Sequence, residues 1–407
     1  MAKKRQLATP SNGTAVSKRV TQKKSKQGNS KVMIFEDGHI HFRQRLVCSL
    51  LTLKPISVRN IRSDDLEAPG LRDHEVEFLR LLDEMTDGTS VEISNTGTSF
   101  RFRPGLLVGG EVNFDCGTTR NVGWFMEGIL PLAPFGKEEL TLNLAGITDG
   151  QCDEDPSVDY INASLVPLLQ KFSVGVDGET PPPHAKIIRR GQAPLGEGEA
   201  QLYSPIVKQL GFIDLTDPGK FKRVRGTAIA CRISPSSPAR VAHAAKGVLH
   251  NLLPDVWVHT ETNSGHRHAC GPSAGLGMYL AVQSTTGVVM CAEVCQTKSG
   301  SEVTNSEREL PEDLGQRGAR LLLKEVKKGG CIDTTAQSFC FLMMCVTSED
   351  VSSVRVGTLS QRSISSLRLF KRAFDVEFKV TACAESKTVL LTCLGCGYRN
   401  MARASAA

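Results

Sequence analysis

The sequence predicts an α/β (α+β) protein: three repeated two-helix/four-strand units in a pseudo-threefold body, with a smaller inserted α/β domain. Three observations point there. First, an order of helix, strand, helix and two further strands recurs at three places, read from hydrophobic periods near 3.6 and 2. Second, residues 215–327 break that rhythm. Third, hydrophobic residues make up 40% of 407 residues, enough for a large core, and no run approaches the roughly 18 consecutive apolar residues of a membrane span.

In the first unit the elements are a helix from Phe42 to Leu53, a strand from Pro55 to Ile61, and a second helix after Pro69-Gly70. Asp73 is expected to cap that second helix. Val76, Leu79, Leu82 and Met85 recur at helical spacing along it, and Gly88 is expected to end it in the left-handed conformation. The strands Val91–Ile93 and Phe100–Phe102 flank Asn95-Thr96-Gly97, a hairpin signal. In the second unit the helices are Arg120–Ala133 and Val158–Phe172, and the strands are Leu140–Leu144, Lys186–Arg189 and Ala200–Tyr203. The third has helices Thr335–Val346 and Ile364–Phe374, and strands Val354–Val356, Val376–Val380 and Val389–Cys393. The likeness among units is one of pattern, with no residue-level repeat.

The interruption opens with the turn Asp217-Pro218-Gly219. It then holds a strand Thr227–Ile233, a helix Ala239–Leu253, a strand Val256–Thr260, a Gly-rich loop and a strand Val288–Val294. A helix beginning at Pro311-Glu312-Asp313 and ending before Gly329-Gly330 returns the chain to the body. The expected organisation is thus a basic tail over 1–31, repeats one and two over 32–214, the insert over 215–327, repeat three over 328–400, and a short end over 401–407.

Residues 1–31 carry nine Lys or Arg, no acid and almost nothing apolar, so they are expected to be disordered. The clusters Lys3-Lys4-Arg5 and Lys18-Arg19 to Lys23-Lys24 look like a two-part nuclear import signal. Without the tail, 40 basic face 43 acidic residues, a net of −3. Any RNA contact by the remainder is therefore expected to be local.

Thirteen cysteines in a long chain without a secretory stretch point to free thiols in a reducing compartment. Cys393-Leu-Gly-Cys396 has no second pair for a zinc site, and it and Cys291–Cys295 are expected to be small residues of an edge strand. His266, His268 and Cys270 alternate, yet no fourth ligand stands near, so a polar loop is expected and no metal. Gly271-Pro272-Ser273-Ala274-Gly275-Leu276-Gly277 lacks the Lys-Ser/Thr of a phosphate loop and is expected to be a flexible turn. Spacing alone assigns neither a Ser/His/Asp set nor a carboxylate pair.

The run Lys54-Pro55-Ile56-Ser57-Val58-Arg59-Asn60-Ile61-Arg62, followed by Pro69-Gly70-Leu71-Arg72, resembles the opening of RNA 3′-terminal phosphate cyclases. Asp217-Pro218-Gly219-Lys220, Arg223-Val224-Arg225-Gly226, Leu310-Pro311-Glu312-Asp313-Leu314-Gly315 and Gly329-Gly330-Cys331-Ile332-Asp333 are similar to the cyclase-like, ribosome-assembly branch of that family. The similarity runs over residues 34–400. It implies a body of three α/β units with a smaller insert domain.

The resemblance also implies what the chain has lost. Cyclases attack ATP with a histidine, and matching Gly357-Thr358-Leu359 places Arg362 at that position; a guanidinium stays protonated and cannot attack. The family's Glu-Gly-Gly-Gly-Gln loop becomes Glu36-Asp37-Gly38-His39-Ile40, whose added acid is expected to repel phosphate. Its His-x-Ala-Asp-Gln becomes Asp333-Thr334-Thr335-Ala336-Gln337, keeping only Gln337 of the closing acid–amide pair. Arg43, Arg62 and Arg72 fall on arginines of the cyclase pattern. With Gln337 and Arg362 they are expected to line an anion or RNA-phosphate pocket, the other reading being structural pairing with carboxylates.

By resemblance, the expected function is that of a non-catalytic assembly factor of the small-subunit processome, needed for maturation of 18S-type RNA in the nucleus and nucleolus. No cofactor is implied. The expected partners are a ribosome-assembly GTPase, the pre-ribosomal particle and pre-rRNA, with the protein monomeric in that particle and away from membranes. Rival readings are a pre-rRNA endonuclease and an active cyclase.

Overall fold

The first sheet starts at β1 (Met33–Phe35) and, after helix α1 (Phe42–Thr52), continues with β2 (Ile56–Val58). Helix α2 (Asp73–Glu84), the two-residue β3 (Thr86–Asp87), and strands β4 (Ser90–Ile93) and β5 (Phe100–Arg103) follow. The order is β1-β2-β5-β4; β1 runs parallel to β2 and the other pairs are antiparallel. In this computed structural model the described residues are 32–150, 155–176, 178, 180–263, 270–296 and 309–404. The basic tail and the His266–His268 run lie outside them.

Local chemistry accounts for the helix ends. Arg72, not Asp73, is the residue at the α2 N-cap, and the Glu75 carboxylate accepts its backbone N–H at 2.9 Å. Gly88 does not end α2 either: the helix stops at Glu84, and Gly88, at φ 81°, turns β3 into β4. The expected hairpin is present, with Ile93 opposite Phe100.

A two-residue β6 (Leu106–Leu107) pairs with β3. The second sheet then takes β7 (Gly110–Asp115), β8 (Leu140–Gly146), β9 (His184–Arg189) and β10 (Gly198–Ser204), in the order β7-β8-β10-β9. Helix α3 (Val122–Ile129) is shorter than predicted, because Asn121 caps it by accepting from the Trp124 N–H at 2.8 Å. The helix predicted over 158–172 is α4 (Val158–Tyr160), a π-helical turn (Ile161–Leu165) and α5 (Val166–Lys171). Pro167 explains the turn, since its ring displaces the carbonyl four residues back and donates no hydrogen bond.

Strand β11 (Asp214–Leu215) opens the third sheet before the chain leaves it. The excursion builds β12 (Phe221–Cys231), α6 (Ser236–Leu249), β13 (Asp255–Asn263), β14 (Gly275–Ser284), β15 (Val289–Cys295) and α7 (Pro311–Lys328). Its sheet has the order β13-β12-β14-β15 and a hydrophobic cluster of its own. Of the glycines expected in a flexible turn, Gly271 is in a loop, whereas Gly275 and Gly277 begin β14. A Cβ at Gly275 would meet Gln192 Oε1 at 2.3 Å, so a side chain is excluded by close packing and not by turn geometry.

On return come α8 (Gln337–Cys345), β16 (Val351–Val356), α9 (Gln361–Phe374), β17 (Lys379–Cys383), β18 (Thr388–Leu394) and α10 (Met401–Ala404). The order β11-β16-β18-β17 and its strand senses match those of the first two sheets. The strand expected at Val376–Val380 starts later: Val376 and Phe378 pack inward before pairing begins, Phe378 against Phe341 with ring centres 5.9 Å apart. Cys393 lies in β18, an inner strand and not an edge, and no disulfide joins the described cysteines. Among the described residues no helix is long and apolar enough to cross a membrane.

Candidate functional site

Between α1, α2, α3 and the N-terminal ends of α8 and α9 lies a cavity of about 500 Å³. Arg43, Arg62, Arg120 and Arg362 line it together with His39, His41 and His74. Three of the five residues predicted for an anion pocket therefore meet here, Arg43, Arg62 and Arg362, whereas Arg72 and Gln337 are not among the lining residues.

Each guanidinium has a carboxylate of its own or shares one. Arg43 donates to Glu127 at 2.7 Å and to the Trp124 carbonyl, and its guanidinium lies 4.4 Å above the Trp124 ring. Arg362, in the first turn of α9, reaches the same Glu127 at 3.3 Å. Burial pushes the Glu127 carboxyl up, but Arg43 and then Arg362 outweigh it and hold it below the usual range. Arg62 grips Glu75 with two hydrogen bonds, 2.8 and 2.9 Å, and donates to the Gly70 carbonyl at 3.0 Å. That clamp holds Arg62 at φ 43°, a backbone conformation costly for a side chain of its size. Arg120 pairs with Asp155 at 2.8 Å.

The two outlying residues have structural work. Arg72, at the N-cap of α2, pairs with Asp65 at 3.0 Å, the two side chains 40% and 35% exposed. Gln337 is buried, accepts from Ser363 Oγ at 2.7 Å and donates to the Thr358 carbonyl at 3.1 Å. It thereby joins α8 to the start of α9, whose N-cap Ser360 accepts from the Ser363 N–H at 3.1 Å. Gln337 acts by placing the turn that presents Arg362.

The loop before α1 departs from expectation. Asp37 does not confront the cavity; it pairs with the buried Arg45 at 2.6 Å, which also donates to the Gly38 carbonyl at 2.8 Å and stacks on Phe35. Its negative charge is offset locally. Gly38 is required, because at φ 64° a Cβ would stand 2.6 Å from the Asn60 carbonyl oxygen.

The imidazoles in the cavity are held neutral. Burial, with Arg62 next in effect, lowers His39; burial lowers His41; and burial with Arg120 and Arg62 brings His74 down to about 4 despite Glu75. Sequence reasoning missed Glu127, Trp124 and His74. Trp124 and Glu127 do stand one turn apart in the predicted helix, but nothing local says that this face meets Arg43.

A second polar centre lies where the excursion meets the body. Arg190 donates to Asp149 at 2.8 Å, Asp159 at 2.7 Å and Glu261 of β13 at 2.6 Å. Asp333 accepts from Tyr160 at 2.5 Å, Ser164 at 3.0 Å and the Cys291 N–H of β15 at 3.2 Å. Glu293 accepts the Ser157 N–H beside a cavity of about 310 Å³, and burial pushes its carboxyl up to about 8.

These features define an α/β protein whose interior pocket presents paired guanidiniums, Arg362 among them, beside imidazoles whose burial favours the neutral form. The chain belongs to the RNA 3′-terminal phosphate cyclase family, whose model matches residues 34–380. It is 42% identical over 381 residues to a probable RNA 3′-terminal phosphate cyclase-like protein of Dictyostelium discoideum, covering 92% of this chain and 100% of that one. To the human RNA 3′-terminal phosphate cyclase-like protein it is 42% identical over 367 residues, covering 89% and 95%. The rRNA processing protein rcl1 of Schizosaccharomyces pombe is 38% identical over 370 residues, covering 90% and 96%.

Proposed function

We propose that this protein is a non-catalytic ribosome-assembly factor required for pre-rRNA processing, acting in the small-subunit processome of the nucleolus toward 18S-type rRNA. The observation that carries the reading is the pairing of Arg362 with Glu127 at 3.3 Å: the resemblance matches Arg362 to the cyclase histidine, and a guanidinium has no lone pair to attack with. A relative 38% identical over 90% of the chain, named for rRNA processing, supports the choice of pathway. In this reading a ribosome-assembly GTPase delivers the protein as a monomer to the pre-ribosome, and the guanidinium pocket receives an anion or an RNA phosphate. Depleting the protein and measuring pre-rRNA species tests it: precursors of the small-subunit RNA should accumulate. Normal processing after depletion overturns the reading.

A pre-rRNA endonuclease is the second reading, favoured by neutral imidazoles beside guanidiniums, groups that move protons and stabilise charge in metal-free RNA transesterification. Purified protein cutting a defined pre-rRNA site, with loss on His39→Ala or His41→Ala, would decide for it.

A further inference from the structure

The cavity of about 310 Å³ beside Glu293 lies between the body and the excursion. The body supplies Asp149, Ser157 and Asp159 to its wall, and β14, β15 and α7 supply Tyr279, Glu293 and Leu321. It is large enough for a small organic molecule.

Charge decides which kind. Asp155, also on the wall, is paired with Arg120 at 2.8 Å, and Glu325 with Lys328 at 2.6 Å. Asp149 and Asp159 share a single guanidinium, that of Arg190, with Glu261, so this set is short of positive charge. Glu293 has no salt bridge among the described residues. Its oxygens accept the Ser157 N–H at 3.0 and 3.2 Å and the Ser157 hydroxyl, which leaves acceptor sites unused. An enclosed carboxylate without a counter-charge takes up either a proton or a cation.

The surroundings select the cation. The strand register puts Tyr279 directly opposite Glu293, and such partners share a face with Cβ atoms roughly 5 Å apart. Ile229, Met278, Val294 and Leu321 add aliphatic surface. A ring beside a carboxylate, with aliphatic groups around both, suits an alkylammonium: its charge meets acid and ring while its methylenes lie on apolar surface. A hard divalent ion takes about six oxygen ligands, and the described residues hold no group of three metal-binding side chains.

We propose that this cavity binds an aliphatic polyamine, with one ammonium seated between Glu293 and Tyr279 and a second turned to Asp149 and Asp159. The site is separate from the guanidinium cavity, and it stands or falls independently of the part the protein plays in rRNA processing. Because its walls come from both the body and the excursion, the bound polyamine ties the two together, displacing the proton that burial otherwise keeps on Glu293.

Isothermal titration calorimetry of the full chain with putrescine, 1,4-diaminobutane, tests it. One saturable site is expected at pH 7, with close to one proton released, seen as a heat that varies with the ionisation enthalpy of the buffer. Since the Glu293 carboxyl is raised to about 8, affinity should rise roughly tenfold from pH 6 to pH 7 and level off above pH 8. Tyr160, Tyr279 and Cys291 on the wall are pushed up by burial, away from this range, and Cys295 is the other thiol there. Glu293→Gln should weaken binding by roughly 10- to 100-fold and remove the proton release. Tyr279→Leu should weaken it by roughly 2- to 30-fold, and Tyr279→Phe should stay close to wild type. Butylamine, with one ammonium, should bind more weakly than putrescine. No saturable heat at millimolar putrescine, no proton release from the wild type, equal binding of butylamine, or unchanged affinity in Glu293→Gln would each overturn the proposal, and the first two need no variant to fold. Magnesium chloride alone binding with the same dependence on Glu293 would overturn it too, since the site would then take a metal.

Discussion

Replacing Arg190 by methionine keeps an unbranched apolar stem and removes the guanidinium and its charge. The wild-type guanidinium, with a side chain 6% exposed, sits 2.6–2.8 Å from Asp149, Asp159 and Glu261. Asp149 and Asp159 are themselves 7% and 15% exposed in their side chains, so the loss would strand two carboxylates away from water. Removing one partner of a buried ion pair costs about 3–5 kcal/mol, the larger part being desolvation left uncompensated. The shared geometry of three acids favours the upper end. In a chain of this size that is a fall in Tm of roughly 5–10 °C. Burial already pushes the Asp159 carboxyl up, and Arg190 only partly offsets this. Without Arg190 the Asp159 value rises further above its unfolded one, and Glu261 loses the Arg190 contacts that hold it below the usual range against burial. The folded variant then binds more protons than the unfolded chain, so its deficit should be small near pH 4 and grow toward pH 7. Differential scanning calorimetry of both proteins at the two pH values measures this. A variant whose Tm at pH 7 matched the wild type, or whose deficit did not change with pH, would refute the view that one guanidinium makes this acidic joint tolerable.

Three further outcomes are expected. With labelled ATP and a divalent metal the protein should form no covalent adenylate, and Arg362→His should stay unlabelled, because the loop at Asp37–Ile40 and Ala336 still differ from the cyclase pattern and catalytic groups act as a unit; robust labelling of the wild type would contradict this. Glu127→Ala should destabilise the fold by about 3–5 kcal/mol at neutral pH by leaving Arg43 buried and unpaired. Since the folded Glu127 value lies below its unfolded one, that stabilisation is present above about pH 4.5 and is lost as pH falls through the folded value, which a pH series of urea titrations would show. Glu293 has the opposite sign: raised to about 8 from 4.5, it favours the fold only while protonated, so stability should decline as pH rises between those values. Glu293→Gln should flatten that decline, and thermal melts from pH 5 to 9 would register it.

Much of the helical framework was legible locally. The stripe Ile364, Leu367, Phe370 and Phe374 predicted α9, and the hairpin at Asn95-Thr96-Gly97 formed as read, because periodicity records which face is buried and turn residues record which backbone angles are allowed. The opening strands β1, β7 and β11 were not seen. They run two to six residues, and their pairing lies with segments more than 20 residues away. Gly275 and Gly277 read as a turn because a glycine required by close packing looks in sequence like one required by a positive φ.

The candidate site divides along the same line. Residue identity alone determined that Arg362 cannot act as a nucleophile, since a guanidinium holds its proton in any fold. Only the tertiary structure decided that Arg43 and Arg362 share Glu127, that Arg72 turns away to Asp65, and that Gln337 braces the start of α9 instead of facing the cavity. Charge and nucleophilicity belong to the side chain itself. Which partner a charge meets depends on strand pairing and helix packing between segments far apart in the chain, and no local pattern carries that.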